Sequence, residues 1–145
     1  MKIIHKNDQL VKETEIHIYS NNTDEIELIT NSLHNLENKL DCYHEKTHFK
    51  IRWSEILYFD SANKKTFAYT KDNIYDVEIK LYQIEDLMPT QFIRCSKSNI
   101  INLSQVKKFN TTFGSRLEAV MINNEKIIVN RFYVEMLKIK LNGGK

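Results

Sequence analysis

Alternation of apolar and polar positions dominates the chain from residue 47 onward. His48-Phe49-Lys50-Ile51-Arg52-Trp53 alternates, and Ile56-Leu57-Tyr58-Phe59 is a short apolar run bounded by Glu55 and Asp60. Ser61 to Lys65 is a polar turn, Thr66-Phe67-Ala68-Tyr69-Thr70 resumes the pattern, and Lys71-Asp72-Asn73 turns again before Ile74 to Ile79. A period of two, enriched in β-branched and aromatic side chains and broken by regular turns, predicts an antiparallel β unit. Leu81, Ile84, Leu87 and Met88 predict a short helix stopped by Pro89. Two apolar-anchored pieces then flank a hydrophilic knuckle within Phe92–Asn102. Val106–Phe109, Leu117–Ile122 and Lys126–Val129 predict three more strands, and Arg131–Leu141 a closing helix.

The first third reads differently. Residues 1–20 look extended, with strand-like alternation over Thr14–Tyr19. Asn22 followed by Glu25 has the spacing of a capping box, and Asp24, Glu25 and Glu27 suit the positive end of a helix dipole. Behind it Ile26, Ile29, Leu33, Leu36 and Leu40 step by three and four, which lines one face of a helix. That stripe fits either packing against the chain's own sheet or a short dimer seam. The expected layout is therefore a strand-helix leader over 1–46 and a mainly β domain with short helices over 47–145.

Composition narrows what such a chain can do. At 145 residues, 41% hydrophobic, it can bury a core without covalent staples. Of three glycines, two lie at the C-terminal end, so neither a P-loop nor a dinucleotide fingerprint is present. No apolar run is long enough to cross a membrane as a helix, and residues 1–6 lack the apolar stretch of a signal peptide. Two cysteines, Cys42 and Cys95, form no CxxC pair, so a disulfide framework is not expected and a cytoplasmic location is. A small buried side chain is the expected role of Cys95, ahead of a redox-sensitive thiol.

A convergent catalytic set is missing. All five histidines lie in the first third, and no HxH grouping occurs. A metal site from Cys42, His44 and His48 is one ligand short of a structural zinc centre. The reading is no enzyme, no cofactor and no metal.

Charge points elsewhere. Residues 1–46 hold five basic and nine acidic side chains, net −4, whereas 47–145 hold sixteen and ten, net +6. No acid interrupts 61–71 or 92–117. The loops between predicted strands carry Lys64 and Lys65, then Arg94, Ser96, Lys97, Ser98 and Asn99, then Asn130 and Arg131. Cations and amides confined to loops suit a duplex: Lys and Arg neutralise phosphates or donate to guanine, and Asn can pair with adenine.

These same residues carry a resemblance. Ile56–Asp60, then Phe92-Ile93-Arg94-Cys95-Ser96-Lys97-Ser98-Asn99-Ile100-Ile101-Asn102, then Ile128–Tyr133 resemble, in order, three motifs of the LytTR family of bacterial DNA-binding domains. The resemblance spans about residues 47–141. It implies stacked antiparallel sheets that push loops, not a recognition helix, into successive major grooves. Carried over by position, the first reading loop falls on Lys64, Lys65 and Thr66, the second on Ser96 and Lys97, and the third on Arg131. Asn130 replaces the usual serine, and Thr66 and Lys97 stand where some relatives have histidine or asparagine, which alters the expected base preference.

With about 46 residues ahead of it, the domain is expected to stand alone, without a receiver. Some standalone relatives are paired with a small membrane regulatory protein. The resulting expectation is a transcriptional regulator acting on double-stranded DNA as a homodimer. The competing reading is a non-catalytic interaction module docking a membrane or signalling partner.

Overall fold

Ile56-Leu57-Tyr58-Phe59 is apolar at every position because both of its faces are covered. In the computed structural model, which describes residues 1–12 and 14–142 (the side chains of 34–37 excepted), all four are buried. Ile56 and Phe59 enter one core; Leu57 and Tyr58 enter another on the opposite side. A strand buried on both faces reads as a continuous apolar run instead of alternating.

The chain divides into two units, Met1–Ser32 and Leu33–Lys145. In the larger, seven strands form one antiparallel sheet: β1 (Lys39–His44), β2 (Thr47–Arg52), β3 (Ile56–Ala62), β4 (Lys65–Thr70), β5 (Ile74–Val77), β6 (Phe92–Arg94) and β7 (Asn99–Asn102). Their spatial order is β2-β1-β5-β4-β3-β7-β6. A second sheet has β8 (Val106–Thr111), β9 (Leu117–Met121) and β10 (Lys126–Val129) in the order β10-β9-β8. Helix α1 spans Thr23–Glu37, α2 spans Leu81–Leu87 and α3 spans Arg131–Leu141.

The alternation of β6 and β7 explains the layering. Phe92 and Ile100 join Trp53, Phe59, Leu81 and Ile84 in one core, closed by α2. Ile93 and Ile101 join Ala119, Met121, Ile127, Val134 and Leu137 in the other, closed by the small sheet and α3. Asn102 ends the apolar motif inside the protein. Its Nδ2 donates to the Ile56 carbonyl at 2.9 Å, and its Oδ1 accepts from the Ser104 amide at 3.0 Å. A buried amide with its partners satisfied is stable; stripped of them it costs about 1–3 kcal/mol.

The mainly β expectation holds, and α2 and α3 lie where Pro89 and the 3.6 period place them. Two expectations do not. Leu40 is not on the helical stripe: α1 stops at Glu37, and Leu40 is buried on β1 against Ile51. The helical spacing there is coincidental, since Lys39–His44 alternates exposed and buried as a strand. Leu36, also placed on the stripe, lies outside the described side chains. Thr14–Tyr19, expected as a strand, pairs with no strand among the described residues. The cap at Asn22 does form: its Oδ1 accepts from the amides of Asp24 (3.0 Å) and Glu25 (3.2 Å). Glu25 returns through a relay, because Ser20 Oγ donates to Glu25 and accepts from the Asn22 amide.

Candidate nucleic-acid interface

Two loops at one end of the large sheet and a third that leaves the small sheet are tied together by backbone hydrogen bonds. The first, between β3 and β4, is a two-residue turn in which Asn63 (φ 53°) and Lys64 (φ 65°) both take the left-handed conformation. That geometry matches the twist of a tight hairpin. Lys80 Nζ donates to the Lys64 carbonyl at 2.9 Å and pins the turn from outside. The second loop is the knuckle between β6 and β7. The Ser61 amide donates to its Ser98 carbonyl at 2.8 Å, joining it to the end of β3. The third is the junction of β10 and α3. The Asn130 amide donates to the Cys95 carbonyl at 2.9 Å, joining it to the knuckle. The chain's three basic loops thus form one continuous edge.

Within the knuckle most polar groups are spent internally. Ser96 Oγ accepts from the Ser98 amide at 3.2 Å and lies 3.3 Å from Asn99 Oδ1, to which it donates. Asn99 Nδ2 donates to Asp60 Oδ1 at 3.0 Å and to the Phe59 carbonyl at 3.2 Å. Arg94 donates through Nε to the Ser96 carbonyl and through a terminal nitrogen to the Lys97 carbonyl, both at 2.6 Å, and pairs with Glu85 on α2. Only 18% of its side chain is exposed. Arg94 therefore holds the knuckle's backbone and presents little of its charge outward. Ser96, 8% exposed, and Thr66, 3% exposed, are likewise buried.

The remaining candidates face solvent. Lys64, Lys65, Lys97, Asn130 and Arg131 are exposed, and Ser98 is half-buried. None of these four cations has a carboxylate within 4.0 Å among the described residues. Unpaired cations beside one another attract polyanions, whose charge offsets their mutual repulsion. The start of β6, the strand that leads into the knuckle, is held as well: Lys140 Nζ, near the far end of α3, donates to the Phe92 carbonyl at 2.8 Å. Burial lowers the pKa of that ammonium.

Neither cysteine joins this edge chemically. Burial pushes both thiols up to about 12, so neither ionises near neutrality. Cys42 faces the core, whereas His48 lies on the exposed side, 2.8 Å from Asp41. The geometry thus separates two of the three residues weighed as a metal site. No cluster of metal-ligating side chains occurs among the described residues.

A further set of residues at this edge was not legible in the sequence. The pairing Val129↔Leu117 sets the end of β10 beside the start of β9, so Arg116 lies next to Asn130. The result is a cleft of about 740 Å³ lined by Phe113, Gly114, Arg116, Asn130, Arg131 and Phe132. Phe113 is 97% exposed and Phe132 80%. The segment Asn110–Ser115 reads as an ordinary turn, and only its lone aromatic residue hints at more.

Comparison with known proteins fits this architecture. The family model described as the LytTr DNA-binding domain matches residues 46–142. An uncharacterized HTH-type transcriptional regulator of Staphylococcus aureus strain MSSA476 is 28% identical over 137 residues, covering 90% of this chain and 92% of its own. Its counterpart in strain NCTC 8325 is 26% identical over 121 residues, 82% of each chain. A solved LytTr DNA-binding domain from Bacillus cereus superposes with a TM-score of 0.69 at 23% identity, covering 72% of this chain and 97% of that one. Although those relatives are named as helix-turn-helix proteins, strands separate every two successive helices described here.

Proposed function

This chain belongs to the LytTr DNA-binding domain family, and from that premise we propose that it is a sequence-specific DNA-binding transcriptional regulator. Its loops enter the major groove of a duplex. Lys64, Lys65 and Lys97 neutralise phosphates or donate to guanine, and Arg131 reads a base. The observation that carries this reading is the pair of hydrogen bonds, Ser61 to Ser98 and Asn130 to Cys95, which sets all three basic loops on one edge. Arg94 and Ser96 serve it from below by fixing loop shape, Thr66 is buried under the turn, and Asn130 and Ser98 stand beside the reading cations.

The functional form is a homodimer on paired half-sites, assembled through the leader. What supports this is the leader's own composition. In Met1–Ser32 no described residue is buried, and Ile3, Ile4, Leu10, Ile16, Tyr19 and Leu28 are exposed. Apolar side chains left in water over a segment this short gain from another surface that covers them. No helix of the described residues is long and apolar enough to cross a membrane, and action on DNA places the protein in the cytoplasm.

A gel shift with random genomic fragments at low salt tests the DNA reading. Retarded fragments support it; a protein that retards none at any concentration leaves the basic loops as solvated surface and favours docking to a protein partner. Sedimentation of Leu33→Asp tests the dimer. A folded monomer is expected, and a folded dimer would exclude the leader as the seam.

A further inference from the structure

We propose that the cleft between the β8–β9 tip and the start of α3 recognises a thymine beside the base or phosphate held by Arg131, with Phe113 as the residue that touches it. This rests on the DNA reading above and adds a fourth, apolar element to its three basic loops.

Four observations carry it. The tip is a built turn: the Thr112 amide closes on the Arg116 carbonyl at 3.1 Å, and Gly114 (φ 73°) and Ser115 (φ 61°) are both left-handed. Phe113 is thus held out on a short constrained loop with 97% of its surface in water. Exposing a whole phenyl ring gives the free protein nothing, since apolar surface left in water contributes no stability. Phe132 flanks the same cleft, its ring against Tyr133 at 5.0 Å between centroids. Arg116 and Arg131 supply its charge, no acid lines it, and Asn130 joins it to the basic knuckle through Cys95.

The occupant follows from complementarity. Two guanidiniums demand an anion or a guanine edge. Two rings beside them demand an apolar group at the same place. The major groove offers one apolar group, the C5-methyl of thymine, and it lies within reach of neighbouring phosphates and base edges. A protein partner would meet the rings but would have to bring its own acids. On a duplex both demands are met by one ligand already placed against the adjoining loops.

The test uses the full chain and duplexes it selects from a random library. Wild-type binding to any duplex checks the DNA reading first, independently of this proposal. Thymines in the selected duplex are then replaced one at a time by deoxyuridine, which removes only the methyl. One replacement is expected to weaken wild-type binding roughly fourfold, the value of burying one methyl group. Phe113→Ala, whose folding circular dichroism verifies, should bind the thymine duplex several-fold more weakly and show no further loss on the deoxyuridine duplex. Phe113→Leu should recover part of the methyl sensitivity. If Phe113→Ala binds the thymine duplex as tightly as wild type, or if the substitution and the missing methyl weaken binding additively, the assignment is wrong while the DNA reading stands.

Discussion

The knuckle Arg94–Asn99 and the turn Ala62–Lys65 lie side by side, yet they are held in opposite ways. The knuckle is built by side chains: Arg94 holds two carbonyls, Ser96 caps an amide, and Asn99 anchors to Phe59 and Asp60. The turn is built by backbone: two consecutive left-handed residues fix its path, and only Lys80 reaches in from outside. Both present a lysine to solvent. The lesson is that a cation's placement depends on what lies beneath it. Lys97 rides on a side-chain network that mutation can dismantle, whereas Lys64 rides on dihedral angles that survive the loss of most side chains.

The largest expected effect dismantles that network. Arg94→Met keeps the volume of the stem but removes the guanidinium from a mostly buried site. Two carbonyls and Glu85 lose their partner, and hydrogen bonds to a charged group are worth more than neutral ones. Stability should fall by about 2–3 kcal/mol, lowering Tm by roughly 5–10 °C. Duplex affinity should fall as well, because Lys97 loses its fixed position. A Tm within a degree of wild type in a thermal scan would show that the knuckle does not depend on its side chains.

Next in size is Arg131→Ala. Arg131 is exposed and, among the described residues, unpaired, so Tm should not move. Affinity for a selected duplex should drop by about 1–3 kcal/mol with relaxed preference at one base pair. Equal loss on every sequence would make Arg131 a phosphate contact. Arg94 and Arg131 thus separate two roles for arginine at one edge: one moves Tm, the other specificity.

That separation marks how far the sequence alone could be read. The strands were legible because burial on one face imposes alternation and burial on both imposes an apolar run, as at Ile56–Phe59. The closing helix and Pro89 obeyed local rules. Lys39–His44 was not legible, because Leu40 satisfied a helical spacing and a strand spacing at once, and only pairing with Thr47–Arg52 decides between them. At the site, composition singled out the basic loops as a group, and backbone hydrogen bonds join those loops. Composition could not sort them, because direction is a tertiary property: Arg94 and Arg131 look alike in the chain, and Thr66 and Ser96 look as available as Lys65. The Phe113 cleft was hidden for the same reason, since it exists only through the register that sets Arg116 beside Asn130.

A smaller effect separates the lysines by charge alone. With about five phosphate contacts, log affinity for a duplex should fall against log salt with a slope near −4 to −5. Lys97→Ala and Lys65→Ala should each reduce the slope by about one in a titration from low to moderate salt. A slope left unchanged would mean that the substituted lysine touches no phosphate.

The smallest effect probes the contrast most directly. Lys64→Gly and Lys64→Ala remove the same charge, so their duplex affinities should agree and both should weaken all sequences alike. Their stabilities should not agree. At φ 65° any side chain with a Cβ is strained, whereas glycine is not, so the glycine variant should be the more stable by about 0.5–1 kcal/mol. At Lys97, which is not left-handed, the order should reverse, because glycine there only adds freedom to the unfolded chain. Tm measured on the four variants gives the answer. If glycine is the less stable at both positions, the turn is not held by its backbone, and the two loops are built alike.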